Sequence, residues 1–342
     1  MKTRIVLALV VGAALGLIGV VSACFAGKWD WQTGSDSSSS SSTSTSPKPP
    51  RITRPIMFNE PDADAILARM QVFPKDNPWN WDILKAPLLK NSKQMIATIG
   101  ANEPLAFNWD MNFIIVPPDQ KRVPVRVGGG TAEFPVPNSM PIEGWPVGGG
   151  DLATYQQQND GDRHAIVVDP INGMAYEFYQ ARRTNAGWEA AGSAVFNLKI
   201  NEAHPKGNTG VDAAGLPIFP SIVRFDECER GMVNHAMRFT VKHTRNAFVY
   251  PATHRASSLS DPNLPRMGER FRLRRDFDIS HFSPHTQAVL KGLMKYGMFV
   301  ADNGGNWRMS VAPDKRIHGL QELRRVKGSD FEVVDTSGQG GE

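Results

Sequence analysis

The chain has 342 residues, with 38 Lys and Arg against 34 Asp and Glu, so its formal charge is only +4. That balance gives no basic face for nucleic acid, and two cysteines cannot build a disulfide framework. A hydrophobic fraction of 41% over this length is enough for the fold to rest on a buried core instead.

The first elements lie at the N-terminus. Lys2 and Arg4 precede an apolar run from Ile5 to Val21, and Val21-Ser22-Ala23-Cys24 follows. A charged start, an apolar middle and a small-residue exit are the marks of an export signal. The quartet ending at Cys24 resembles the lipobox of bacterial lipoproteins. The resemblance implies cleavage after residue 23, acylation of Cys24 and a membrane tether through lipid, and Phe25 in place of Asp leans towards an outer membrane. Acyl chains at about 0.8 kcal/mol per buried CH₂ anchor a protein without a spanning helix. Removing residues 1–23 takes away Lys2 and Arg4 and leaves a charge of +2. Cys228 is then the single thiol. It lies among Asp226, Glu227 and Glu229, an environment that disfavours a thiolate, and reads as structural. Residues 32–50 are rich in Ser and Thr and end in Pro47-Lys48-Pro49-Pro50. Nothing there can bury apolar surface, so residues 24–53 are expected to be a flexible stalk reaching roughly 25–30 Å from the membrane.

The pattern from Arg54 to Thr336 predicts one mainly β fold. Residues 54–150 are expected to pack as an extension on a main domain at 151–336, with a free tail at 337–342. A short helix is expected at Asp62–Phe73, and residues 128–150, bracketed by triple glycines, as a surface loop or boundary. Arg163 to Asp169 and Met174 to Gln180 flank Pro170-Ile171-Asn172-Gly173 as a hairpin. From His235 to Val241, Met237, Phe239 and Val241 alternate with Arg238 and Thr240 as in a half-buried strand. Ser283 followed by Pro284 starts a helix whose stripe is Val289, Leu290, Leu293 and Met294, and Gly297 ends it. Short strands between Gly, Pro and Asn clusters suit a jelly-roll-type antiparallel β-sandwich.

Four stretches resemble a family of secreted bacterial proteins without an assigned activity. They are Val72 to Asn80, Gly161-Asp162-Arg163-His164, Asp212 to Pro217, and Tyr296-Gly297-Met298 through Ala301-Asp302-Asn303-Gly304. The resemblance implies secretion and a shared fold.

No Walker loop, dinucleotide fingerprint, Gly-x-Ser-x-Gly or metal-binding His pair is present, and no cofactor or metal is expected. Arginine placement is the most suggestive feature. Arg270, Arg272 and Arg274 alternate with Phe271 and Leu273, while Arg224 and Arg238 sit opposite apolar neighbours. On one sheet face these guanidinium groups would bind an anionic glycan, and Met at Arg238 or Arg272 would leave folding intact. Trp188 and Trp307 could stack on sugar rings. His164, with Glu177 on its hairpin partner, could form an acid/base pair, depending on register. Asp212, His235, His254 and Asp302 complete the candidate catalytic set. A monomer acting on polysaccharide, as lyase or glycoside hydrolase, is therefore expected. A carbohydrate-binding module and a structural envelope lipoprotein with a protein partner are the alternatives. Cys24→Ala should leave the protein unprocessed or release it from membranes, as fractionation would show; a processed, membrane-bound variant would remove the lipobox reading.

Overall fold

The computed structural model describes residues 51–202, 207 and 209–338. The expected export signal, Cys24 and nearly all of the stalk lie outside the described residues. Among the described residues no helix is long and apolar enough to cross a membrane.

In chain order the first strands are β1 (Ile56–Met57), β2 (Ala106–Trp109), β3 (Ile114–Ile115), β4 (Val123–Val127) and β5 (Gly130–Phe134). Helices α1 (Pro61–Leu67) and α2 (Ser92–Ile99) fall among them, and α3 (Leu152–Gln157) follows. Next come β6 (Ala165–Asp169), β7 (Met174–Tyr179), β8 (Arg182–Thr184), β9 (Gly187–Ala190) and β10 (Gly192–Asn197). The chain continues through α4 (Phe225–Glu229), β11 (Met237–Val241), β12 (Arg270–Leu273) and α5 (Pro284–Lys295). It ends with β13 (Met298–Asn303), β14 (Arg308–Val311) and β15 (Phe331–Val334).

The strands form three sheets, ordered β1-β3-β6-β7-β10, β15-β12-β13-β11-β14-β2 and β5-β4-β9-β8. The fold is mainly β, but the sheets are mixed. β3 with β6, β4 with β9, β11 with β13 and β14 with β2 are parallel pairs, so the expectation of a purely antiparallel sandwich is corrected. Alternation within a strand reports which face is buried and carries no information about the direction of its neighbour. Residues 54–150 are also more than an extension. They supply β1 and β3 to the first sheet and β2 to the second, inside the core that holds Phe113, Phe239 and Val333.

The local expectations fare better. The hairpin forms with Asp169 opposite Met174. Ile166 and Val168 join the main core, while Ala165, Val167, Tyr176 and Phe178 face a second core against Val125, Phe134 and Trp188 of the four-stranded sheet. A strand buried on both faces explains its nearly unbroken apolar run. The first triple glycine closes the β4–β5 hairpin, with Val127 paired to Gly130, instead of forming a long loop. Helix α1 stops at Leu67, short of Phe73, whose φ of +62° is incompatible with continuing the helix. Helix α5 starts at Pro284 and buries Val289, Leu290 and Leu293.

Gly297 follows with φ +66°, and its amide closes onto the Gly292 carbonyl, a left-handed helix exit. A Cβ there would run into the Phe271 carbonyl of the adjacent strand and approach Ile83 Cδ1 to 2.8 Å. Gly297→Ala should therefore destabilise by about 1–3 kcal/mol through overpacking, with the left-handed backbone adding about 1–2 kcal/mol. Chemical denaturation of the two proteins checks this.

Candidate functional site

The chain before β6 turns at Arg163, whose φ of +51° is rare for a residue with a side chain. Its buried guanidinium holds the turn by donating to the carbonyls of Ala181, Tyr155 and Gln156, at 3.1, 3.0 and 3.2 Å. This conformation directs His164 inward. The His164 amide donates to Glu143 Oε2 at 3.0 Å, and its ring Nδ1 lies 2.8 Å from the same oxygen. Nε2 lies 3.0 Å from the Val211 carbonyl. With both ring nitrogens facing acceptors, the cationic imidazolium suits the site. Burial pulls its pKa down, but the Glu143 hydrogen bond and charge outweigh it and raise the value to about 8.

Next to this pair, Arg238 of β11 donates to Asp212 Oδ2 at 2.6 Å and to Ser310 Oγ at 2.8 Å. Asp212 Oδ1 accepts the Ala214 amide at 2.9 Å, a turn fixed by its own side chain. Both members are buried. Asp302, the last residue but one of β13, lies within electrostatic reach of both. Between Phe239 and Thr240 the β11–β13 ladder shifts register, so Val300 pairs with Phe239 but Asp302 pairs with Thr240. The extra residue, Ala301, turns Asp302 to the face that carries Arg238 instead of the core face of Phe239.

These groups meet at a cleft of about 390 Å³, whose walls include Asp162, His164, Tyr179, Asp212, Asp302 and Asn303. The segments at 162–164, 211–213 and 302–303 all supply residues to it. Within electrostatic reach, Asp110, Glu143, Glu177, Asp212 and Asp302 outnumber Arg238 and His164. The surplus negative charge has visible effects. Burial first, and then the charge of Asp212, raise Asp302 to about 6. Burial and Glu143 raise Asp110 to about 7. Glu177 is pushed to about 7 by burial, although the amides of Ile218 and Phe219 donate to it. Asp302 is half-buried and borders the cleft, so its proton can be exchanged with a ligand.

Of the sequence candidates, His164, Asp212 and Asp302 converge at the cleft and Arg238 lies directly behind them. Ile166 pairs with Glu177, which places Glu177 on the face of His164. Glu177 is nevertheless fully buried on backbone amides, and the carboxylate that engages His164 is Glu143. His254 stays at the periphery, its Nδ1 3.0 Å from the Ala213 carbonyl. His235 belongs elsewhere, against Glu227 Oε2 at 2.9 Å. Sequence reasoning missed Glu143, Asp110 and Tyr179. Glu143 sits in a Pro- and Gly-rich stretch with no periodicity to mark it, and only the fold brings it to His164.

The arginine expectation is corrected. Arg224 precedes α4 and does not lie on a strand; it is paired with Glu227 at 3.0 Å and Asp226 at 3.3 Å. Arg270 is buried, donates to the carbonyls of Tyr296 and Pro78, and lies 4.3 Å over the Phe299 ring. Burial alone lowers its pKa to about 9. Arg272 pairs with Glu332 at 2.7 Å and Arg274 with Asp276 at 3.2 Å. The face expected to meet solvent is covered by the segment around Pro78 and Ile83. Neither tryptophan offers a free ring: Trp307 is stacked between Phe239 and Phe331, and Trp188 is buried in the second core. Cys228 is buried, and burial, then Glu227, push its thiol far up, in keeping with a structural role. Among the described residues no group of three or more metal-ligating side chains comes together.

Comparison of the chain with protein-family models, with curated proteins and with solved structures gives no match.

The pairing of Arg238 also reverses one expectation about stability. Arg238→Met should strand the Asp212 carboxylate in the interior, which typically costs about 3–5 kcal/mol. Thermal or urea unfolding should show a large loss, and an unchanged midpoint would deny the pair its structural role.

Proposed function

We propose that this protein is a lipid-tethered envelope enzyme that hydrolyses glycosidic bonds of sugars carrying no charge in the cleft. The observation that carries the reading is Asp302: a half-buried carboxyl at the cleft, kept protonatable near neutrality by burial and by Asp212. Asp162 supplies a second carboxylate to the same cleft and is solvent-exposed. Tyr179 feels the charges of both. Two carboxyl groups in unlike environments are the working parts of glycoside hydrolysis. Asp302 is assigned as proton donor to the leaving oxygen, and Asp162 as the group that assists water or the anomeric carbon from across the cleft.

Lyase chemistry is less well served. It needs a free base and a cation to neutralise a uronate. Both His164 nitrogens are occupied, and burial and Asp162 push the Tyr179 phenol up, away from the phenolate. Arg238 is held by Asp212. The Asp162 carboxylate in the cleft wall would also repel a uronate. The export signal and the lipobox-like Val21 to Cys24 support an envelope location, with the stalk holding the domain off the membrane.

Reducing-end release from starch, dextran, xylan and polygalacturonate tests the reading. Activity on at least one neutral polymer is expected, with Asp302→Asn lowering it about 10²–10⁴-fold. The donor must be protonated, so kcat/KM should fall as pH rises through about 6, the raised value of Asp302. A parent inert on every neutral polymer, or an Asp302→Asn variant as active as the parent, would overturn the assignment.

A further inference from the structure

A second concave surface lies apart from the acidic cleft and shares no residue with it. It is a groove of about 640 Å³ bordered by β12, β15 and the segment of residues 84–88. Its charged walls are Lys85, Arg272, Arg274 and Arg275 against Asp276 and Glu332, an excess of two positive charges. Both carboxylates are already paired, Glu332 with Arg272 and Asp276 with Arg274. Among the described residues no ion pair engages Lys85 or Arg275, and both side chains are exposed. The Arg274–Asp276 pair is itself largely solvent-exposed, and such a pair exchanges readily for a better anion. At the inner wall Arg272 is buried and held by Glu332 and by the carbonyls of Ile83 and Ala86, so it gives the groove a fixed positive floor. The groove is also lined by Leu84, Ala86 and Leu88, the last 44% exposed, so an apolar strip runs beside the cations.

We infer that this groove is a binding site for an anionic polysaccharide segment, one bearing carboxylate or sulfate groups. The guanidinium forks of Arg274 and Arg275 would take the acidic groups, and Leu84, Ala86 and Leu88 the C–H face of the ring. Its volume lies within the range of ligand sites. No aromatic side chain lines it, so the stacking platform that single-stranded nucleic acid uses is missing. The groove would hold the enzyme on an acidic matrix polymer while the cleft works on neutral linkages. Binding here does not depend on Asp302 and stands or falls separately from the hydrolase reading.

Affinity electrophoresis of the mature protein in nonionic detergent decides it, in gels containing polygalacturonate or dextran. Polygalacturonate should retard the protein and dextran should not, and the effect should fade with added salt as the charges are screened. The exposed double variant Arg274→Glu/Arg275→Glu should weaken retardation at least tenfold without moving the melting temperature. Asp302→Asn should leave it unchanged, whatever its effect on hydrolysis. Absence of retardation at low salt, equal retardation by dextran, or indifference to the double variant would overturn the inference. So would a mobility shift caused by phosphatidylglycerol in mixed micelles but not by polygalacturonate, which would make the groove a membrane-contact surface.

Discussion

The buried ion pair between Arg238 and Asp212 is the constraint around which the cleft is organised. It joins β11 to the turn at Asp212 and reaches β14 through Ser310, so one guanidinium ties three separate parts of the chain. Its position among five carboxyl groups leaves the neighbourhood short of positive charge. A low-dielectric interior cannot hold that many negative charges at once, and the protein responds by retaining protons on some of them. Asp302 gains its chemistry from burial and from this shortage: burial first, and then the charge of the same Asp212 that neutralises Arg238, raise it to about 6.

His164 and Glu143 serve the arrangement differently. Their contact brings the loop at 142–146 to the start of β6, and the contact from the ring to the Val211 carbonyl holds the turn that leads into Asp212. The imidazole is thus a cationic brace and has no nitrogen left for proton transfer. Residues that look catalytic by type can be wholly consumed by structure, and the same holds for Glu177 on its two amides.

The parts of the fold that were legible in the sequence are those decided within a few residues. The β6–β7 hairpin, the strand at Met237–Val241 and helix α5 each follow from local periodicity and a turn or a Pro. His164 could be named from its place at the entry to the β6–β7 hairpin, and Asp212 and Asp302 only as members of a candidate set, since nothing in their spacing says that they meet. The arginines show where local reasoning ends. Alternation of Arg with Phe and Leu in β12 separates two faces correctly, yet whether the second face meets water depends on residues 78–86, nearly 190 positions away in the chain. Parallel pairing was invisible for the same reason, since it is a relation between distant segments.

The bulge at Ala301 bears on how such a protein can change over generations. Strand parity, more than side-chain identity, decides whether the carboxyl of Asp302 meets Arg238 or the apolar interior. Exchanges of one aliphatic residue for another along β13 leave that parity untouched. A gained residue is another matter, because the ladder would have to widen its bulge or turn a carboxyl towards Phe239. The site is therefore written partly in the length of a strand.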